Sequence, residues 1–237
     1  MKNKDEIKES LEKYEKEVEE SKKYLKNKIG DELLTISFWE LYTYPITYKS
    51  KRVSDLMKIK SLVHESRIQK DWDFPYQINT GINSNFSKGI QHFLKSDKYF
   101  EYFRMYRSGL FTWEKAFIED NNEPKYNKVL YLNLAFSLIS KICHFIKSYY
   151  NKINYDDILI FKIALNGTED RILKNQIIYP SYVSHEDPII YEDEINLKEF
   201  DAFEKTKEIC KFICWVFNWE DITDDYIMVS LQELKRS

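Results

Sequence analysis

The stretch Tyr99–Ile118, YFEYFRMYRSGLFTWEKAFI, most constrains what this chain can fold into. Two aromatic runs flank Arg107-Ser108-Gly109, the pattern of a β-hairpin closed by a short glycine-containing turn. Successive strand side chains point to opposite sides of a sheet. In the first run Phe100, Tyr102, Arg104 and Tyr106 therefore share one face, while Tyr99, Glu101, Phe103, Met105 and Arg107 share the other. Both faces carry aromatic area, which places the hairpin in the middle of a packed sheet. A strand around Gly89–Leu94 is expected to pair with it.

A helix comes before all of this. Over residues 3–28, Ile7, Leu11, Tyr14, Val18, Ser21 and Leu25 recur at alternating spacings of four and three, the seam of a coiled coil. Glu9/Lys13 and Glu12/Lys16 at i,i+4 support the exposed side. Such a stripe needs a cover, either the chain's own domain or a second chain. The sequence reading takes residues 1–29 as a coiled-coil-like arm, ended by Gly30-Asp31, whose Ile7, Leu11, Tyr14, Val18 and Leu25 bind a partner protein or a second copy. Residues 30–237 are read as one α+β globular domain.

Within that domain, period-two patterning with Pro45 inside it predicts an edge strand or a bulged strand over Ile36–Tyr48. Arg52–Ile68 reads as an amphipathic helix with Val53, Leu56, Met57, Ile59, Lys60, Val63 and Ile68 inward. Turns are expected at Asn79–Gly81 and in the loop ending near Pro124. Lys128–Tyr150 is apolar around most of its circumference and is expected to lie across the sheet as a helix. Strands are predicted over Ile158–Leu165, Arg171–Ile178 and around Ile189–Tyr191. Helices are predicted over Leu197–Phe217 and, capped by Thr223-Asp224-Asp225, through Leu234. The fold class is α+β, a mainly antiparallel sheet with helices packed on one face.

Aromatics make up 16% of the 237 residues and glycine and proline number five each, so the chain folds and its turns rely on other residues. A net charge of −3 gives no general attraction to nucleic acid. Cys143, Cys210 and Cys214 sit in apolar helical patterns, as buried thiols of a cytoplasmic protein do. The charged N-terminus is no signal peptide, and no apolar run reaches the roughly 20 residues that span a bilayer.

Chemistry is thinly marked. His64, His92, His144 and His185 are dispersed, and neither a CxxC pair nor a glycine-rich phosphate loop occurs. Asp156-Asp157 and Glu192-Asp193-Glu194 read as solvated acids, with a metal-dependent nuclease as the remote alternative. Asn166-Gly167-Thr168-Glu169-Asp170-Arg171 reads as a capped, salt-bridged turn. No catalytic residue, metal ligand or cofactor is assigned. Lys51, Arg52, Arg104 and Arg107, interleaved with tyrosines, are the candidate nucleic-acid contacts, since aromatic faces stack bases and cations meet phosphates.

One family resemblance adds to this. Phe38-Trp39-Glu40, Pro45, Tyr48, Arg52-Val53, Trp72-Asp73-Phe74-Pro75, Tyr106-Arg107-Ser108-Gly109-Leu110-Phe111 and Leu165-Asn166-Gly167 with Arg171 occur in an order that resembles the region after the DNA-binding domain of bacterial Schlafen AlbA_2-type proteins. It spans Glu32 to Phe217. The DNA-binding domain itself is replaced by the helix, and Asp71 stands where a glycine is expected. The resemblance implies a setting in defence or regulatory systems and transfers no catalytic residue. The expected function is a non-enzymatic interaction or accessory subunit, with nucleic-acid binding as the alternative.

Overall fold

In the computed structural model, which describes residues 4–67, 74–75, 82–97, 99–122, 128–174 and 182–234, the chain opens with α1 (Lys4–Ile29) and a 3-10 turn, Gly30–Leu34. There follow β1 (Phe38–Pro45), α2 (Leu56–Ser66), β2 (Ile82–Phe86), β3 (Gly89–Ser96), β4 (Tyr99–Tyr106), β5 (Phe111–Ala116) and α3 (Glu119–Asn122). Next come β6 (Val129–Tyr131), α4 (Leu132–Lys152), β7 (Ile158–Asn166), β8 (Ile172–Lys174) and β9 (Tyr182–Val183). The chain ends with β10 (Ile189–Asn196), α5 (Ala202–Val216) and α6 (Asp224–Leu234). Trp72, Asp73, the turn at Asn79–Gly81, the loop at Pro124 and the end of the strand expected over Arg171–Ile178 lie outside the described residues.

The aromatic hairpin is the middle of a seven-stranded sheet ordered β10-β7-β1-β5-β4-β3-β2, each neighbouring pair antiparallel. Its turn closes through Gly109 N–H on the Tyr106 carbonyl, with Gly109 at φ +95°, a conformation that other residues reach only with strain. A small second sheet pairs β6 parallel to β8 and β8 antiparallel to β9. The fold is α+β.

Both faces of the hairpin are packed, by different partners. Phe103, Met105, Phe111 and Trp113 face α4, whose Phe136, Ile139, Ile142, Phe145 and Ile146 fill the main core with α2, α5 and α6 around it. Phe100 and Tyr102 face α1, whose Leu25 and Ile29 close over them together with Phe93 and Ala116. Tyr14, one helical stretch earlier, packs on Tyr106 and Leu110. The architecture is therefore three layers, with helices on both faces of the sheet and not on one. The N-terminal helix does not project as an arm: Tyr14, Glu17, Ser21, Leu25 and Ile29 are all buried on the sheet, which needs a cover for its second aromatic face.

Other sequence expectations are shifted in instructive ways. β1 is an interior strand between β5 and β7, not an edge. Proline is tolerated because Ile46 N–H donates to the Ile158 carbonyl on the β7 side. Pro45 nitrogen thus faces the β5 side, where pairing has already ended at Thr43↔Phe111. α2 starts only at Leu56, capped by Asp55 accepting from Met57 N–H at 2.9 Å, and it buries Ile59, Leu62, Val63 and Ser66 while Met57 is exposed. Residues 129–131 leave the expected long helix to form β6, and the run around Ile189 extends to a full edge strand.

Candidate functional site

The face of the sheet beneath α1 gathers most of the residues that the sequence marks for function. Tyr14 donates its hydroxyl to the carbonyls of Ser108 (3.1 Å) and Thr47 (3.2 Å) and stacks on Tyr44 at 4.6 Å. Leu25 is buried and Val18 half-buried beside the Tyr14 cluster. Ile7 and Leu11 are half-buried and belong to none of the three apolar clusters. The seam thus divides into a docked part from Tyr14 onward and an earlier part that stays off the core.

The fold brings Arg52 and Arg107 together at the hairpin end, beside Lys51, and sets Arg104 apart under α1. Arg52 donates Nε to the Ser108 carbonyl at 3.1 Å, reaches the Thr47 carbonyl with a second nitrogen, and lies over the Tyr155 ring at 4.6 Å. Arg107 grips the carbonyls of Val53 (3.2 Å) and Ser54. Arg104 is buried under α1 between the rings of Tyr24 (4.5 Å) and Phe86 (4.7 Å), with Nε on Gln91 Oε1 at 2.9 Å and Nη1 on Tyr106 Oη at 3.2 Å. Only Lys51 of the four is exposed. Three guanidinium groups serve the protein's own carbonyls and rings, because a planar fork of donors satisfies loop carbonyls that no strand pairs.

The remaining candidates are also built in. All three cysteines are free and buried, and burial pushes the Cys143 thiol up to about 12. Among the described residues no group of three His, Cys, Asp or Glu side chains could hold a metal ion. Asp156 pairs with Lys198, Glu192 with Lys162 and Asp193 with Lys205. Arg171 is fully buried, forked onto Asp120 with two 2.9 Å bonds, and also donates to Ser37 Oγ, Val129 O and Gly167 O.

What the sequence reading missed is a pair of carboxylates. Glu40 on β1 and Glu114 on β5 are direct cross-strand partners on the α1 face, and like charges directly opposite destabilise a sheet. Glu114 is 1% exposed and neither of its oxygens has a hydrogen-bond partner among the described residues. Burial first, and then the Glu40 charge, push its carboxyl well above the usual range, against weaker pulls from Lys22, Arg104 and the nearby Tyr42 hydroxyl. Glu40 accepts from the Tyr42 hydroxyl and lies 3.2 Å from Lys22 Nζ on α1. Burial and the facing Glu40 both favour the protonated form of Glu114. The neighbouring buried Glu17 of α1 is raised by burial as well, but it accepts from Ser108 Oγ (2.6 Å) and Tyr48 Oη (3.0 Å). An acid at a core position of an aromatic strand, as in Phe111-Thr112-Trp113-Glu114, is the signal that could have pointed to the site.

Two cavities open elsewhere. One of about 370 Å³ lies between Lys211, Phe212 and Trp215 of α5 and the segment that follows it, with Trp219, Glu220 and Ile222, and one of about 160 Å³ lies between Trp39, Lys115 and the Leu134–Leu138 turn of α4. Among the described residues no helix is long and apolar enough to cross a membrane. No protein-family model matches the chain, and neither a curated protein nor a solved structure is significantly similar to it.

Proposed function

We propose that this chain is a non-enzymatic interaction or accessory subunit that assembles through the leading part of α1. The observation that carries the reading is a mismatch of lengths. A helix of 26 residues runs about 39 Å, while the eight-residue strand β4 that it lies along is about 27 Å long. The first of its residues to be buried is Tyr14, which bonds the Thr47 and Ser108 carbonyls. Residues 4–12 lead that docked part by about 14 Å. Ile7 and Leu11 continue the buried stripe at i,i+4 and are packed in no core cluster.

Two apolar side chains per copy bury too little area for a stable dimer of this segment with itself. A partner subunit with an apolar groove, into which the helix end is laid, supplies the missing surface. The resemblance to Schlafen AlbA_2-type proteins supports a bacterial defence or regulatory complex as the setting, and three buried free thiols suit the reducing cytoplasm.

The test is native mass spectrometry of the chain purified from its own host, wild type against Ile7→Lys/Leu11→Lys. Because neither side chain is core, circular dichroism and melting should be unchanged while a stoichiometric partner is lost. A partner retained by the variant, or nucleic acid as the sole companion of both proteins, would count against the reading.

A further inference from the structure

We infer that α1 is a proton-controlled latch: loss of the proton on Glu114, the buried carboxyl opposite Glu40, releases the docked half of the helix, Tyr14–Ile29, from the sheet. The inference concerns how the helix is held and does not depend on what Leu11 touches.

The interface beneath α1 is built unlike the one beneath α4. Of the five buried α1 positions two are polar, Glu17 and Ser21. Ser21 Oγ bonds Thr112 Oγ1 at 2.7 Å and Tyr102 Oη at 3.2 Å, and Arg104 reaches the Glu20 carbonyl. These groups recover hydrogen bonds from water when the helix lifts, whereas the α4 layer would expose a continuous apolar core. The α1 layer is thus the one that opens first.

Within it, Glu114 is the group with most to gain. The ionisable and charged groups around it are Glu40 and Tyr42 on β1, Tyr102 and Arg104 on β4, and Lys22 and Glu19 on α1. Lys22 and Arg104 attract an ionised Glu114, yet burial and Glu40 outweigh them. With α1 closed, the Glu114 O–H bond therefore stays intact. With α1 lifted, the carboxyl meets water, its pKa falls toward the ordinary value of about 4.3, and the proton passes to solvent. The closed state binds one proton more than the open one, so rising pH favours opening. The gain is about tenfold per pH unit between the ordinary value and the raised one, and it levels off above that. Glu17 acts in the same sense and adds its own share.

Hydrogen exchange read by mass spectrometry between pH 5 and 9, expressed as protection factors so that base-catalysed chemistry divides out, tests the latch. In the wild type, protection of the α1 amides from Tyr14 to Ile29 should fall with pH while β4 and β5 stay protected. Glu114→Gln, which has no proton to lose, should flatten that fall by up to about tenfold per pH unit. In Glu40→Gln the like charge is gone, so the fall should level off at lower pH. A Ser21→Cys/Thr112→Cys crosslink, at positions whose hydroxyls already touch, should hold the helix protected throughout. The inference is overturned if Glu114→Gln or, should that variant not fold, Glu40→Gln keeps the wild-type pH dependence. It is equally overturned if α1 and the sheet lose protection together, or if the crosslinked protein loses α1 protection as well.

Discussion

Removing Asp120 should destabilise this protein more than any other single surface-accessible change, although its carboxylate is 29% exposed. The reason is Arg171, whose side chain is fully buried and whose guanidinium lies over the Phe117 ring at 4.5 Å. Its charge is met by one carboxylate, through Nη1–Oδ1 and Nη2–Oδ2 bonds of 2.9 Å each. The other donors go to neutral groups, Ser37 Oγ at 2.8 Å and the carbonyls of Val129 at 2.6 Å and Gly167 at 3.3 Å. Asp120→Ala leaves a cation in the interior with no counter-charge, which typically costs about 3–5 kcal/mol. For a chain of this size that lowers the melting temperature by about 6–20 °C. Arg171→Met strands the two carbonyls and should be damaging alone. Made in the Asp120→Ala background it removes the orphaned charge, so the double variant should lose less than the sum of the singles. Denaturant melts of the four proteins give the coupling directly. Additive losses, or an Asp120→Ala cost below about 1 kcal/mol, the scale of exposed pairs, would refute the claim that the pair acts as a buried unit.

Gly89→Ala should disrupt the β3–β4 pairing, because an added Cβ would stand 2.0 Å from the Met105 carbonyl oxygen, a backbone atom that cannot step aside. A loss of about 1–3 kcal/mol and early exchange of the β3 amides are expected, and an unchanged melt would refute it. Thiol titration at pH 8 should find Cys143, Cys210 and Cys214 unreactive in the folded protein and all three reactive in denaturant, since burial raises each thiol above its ordinary range. Rapid labelling of any one in the native state would show that its helix opens.

Much of the architecture was legible because it rests on periodicity. The hairpin, its neighbour β3, the long α4 and the capped α5 all follow from side-chain spacing of two or between three and four. The stripe on α1 was equally plain, but a stripe says only that a helix has a partner. Its partner is the face of Phe100 and Tyr102, and the deciding feature was already in the hairpin, where both faces carried aromatics and one internal helix layer could cover only one. The Glu40–Glu114 pair was not legible, since the residues are 74 positions apart and meet only through the β1–β5 register. A slip of one residue would have turned one of them to the α4 face.

The bonds that the basic residues make inside the fold have a source in the composition. With five glycines and five prolines, the chain lacks the usual means of closing turns tightly, so its loops leave carbonyls that no backbone N–H reaches. Long side chains with donors at their tips fill that role from a distance. Arg52 serves Thr47 and Ser108, Arg107 serves Val53 and Ser54, and Tyr14 adds to Thr47 and Ser108. Tyr150, reaching up from α4, places its hydroxyl between the carbonyls of Thr43 (2.9 Å) and Gly109 (2.7 Å). The arginines and tyrosines that the sequence marks as candidate nucleic-acid contacts also serve, in three dimensions, to satisfy the turns of a glycine-poor chain. The same device explains why the hairpin turn, α1 and α4 are tied together: the Ser108 carbonyl accepts from Tyr14 and from Arg52 of the loop before α2, and the Gly109 carbonyl accepts from Tyr150, so the end of the hairpin is a common anchor for both helix layers.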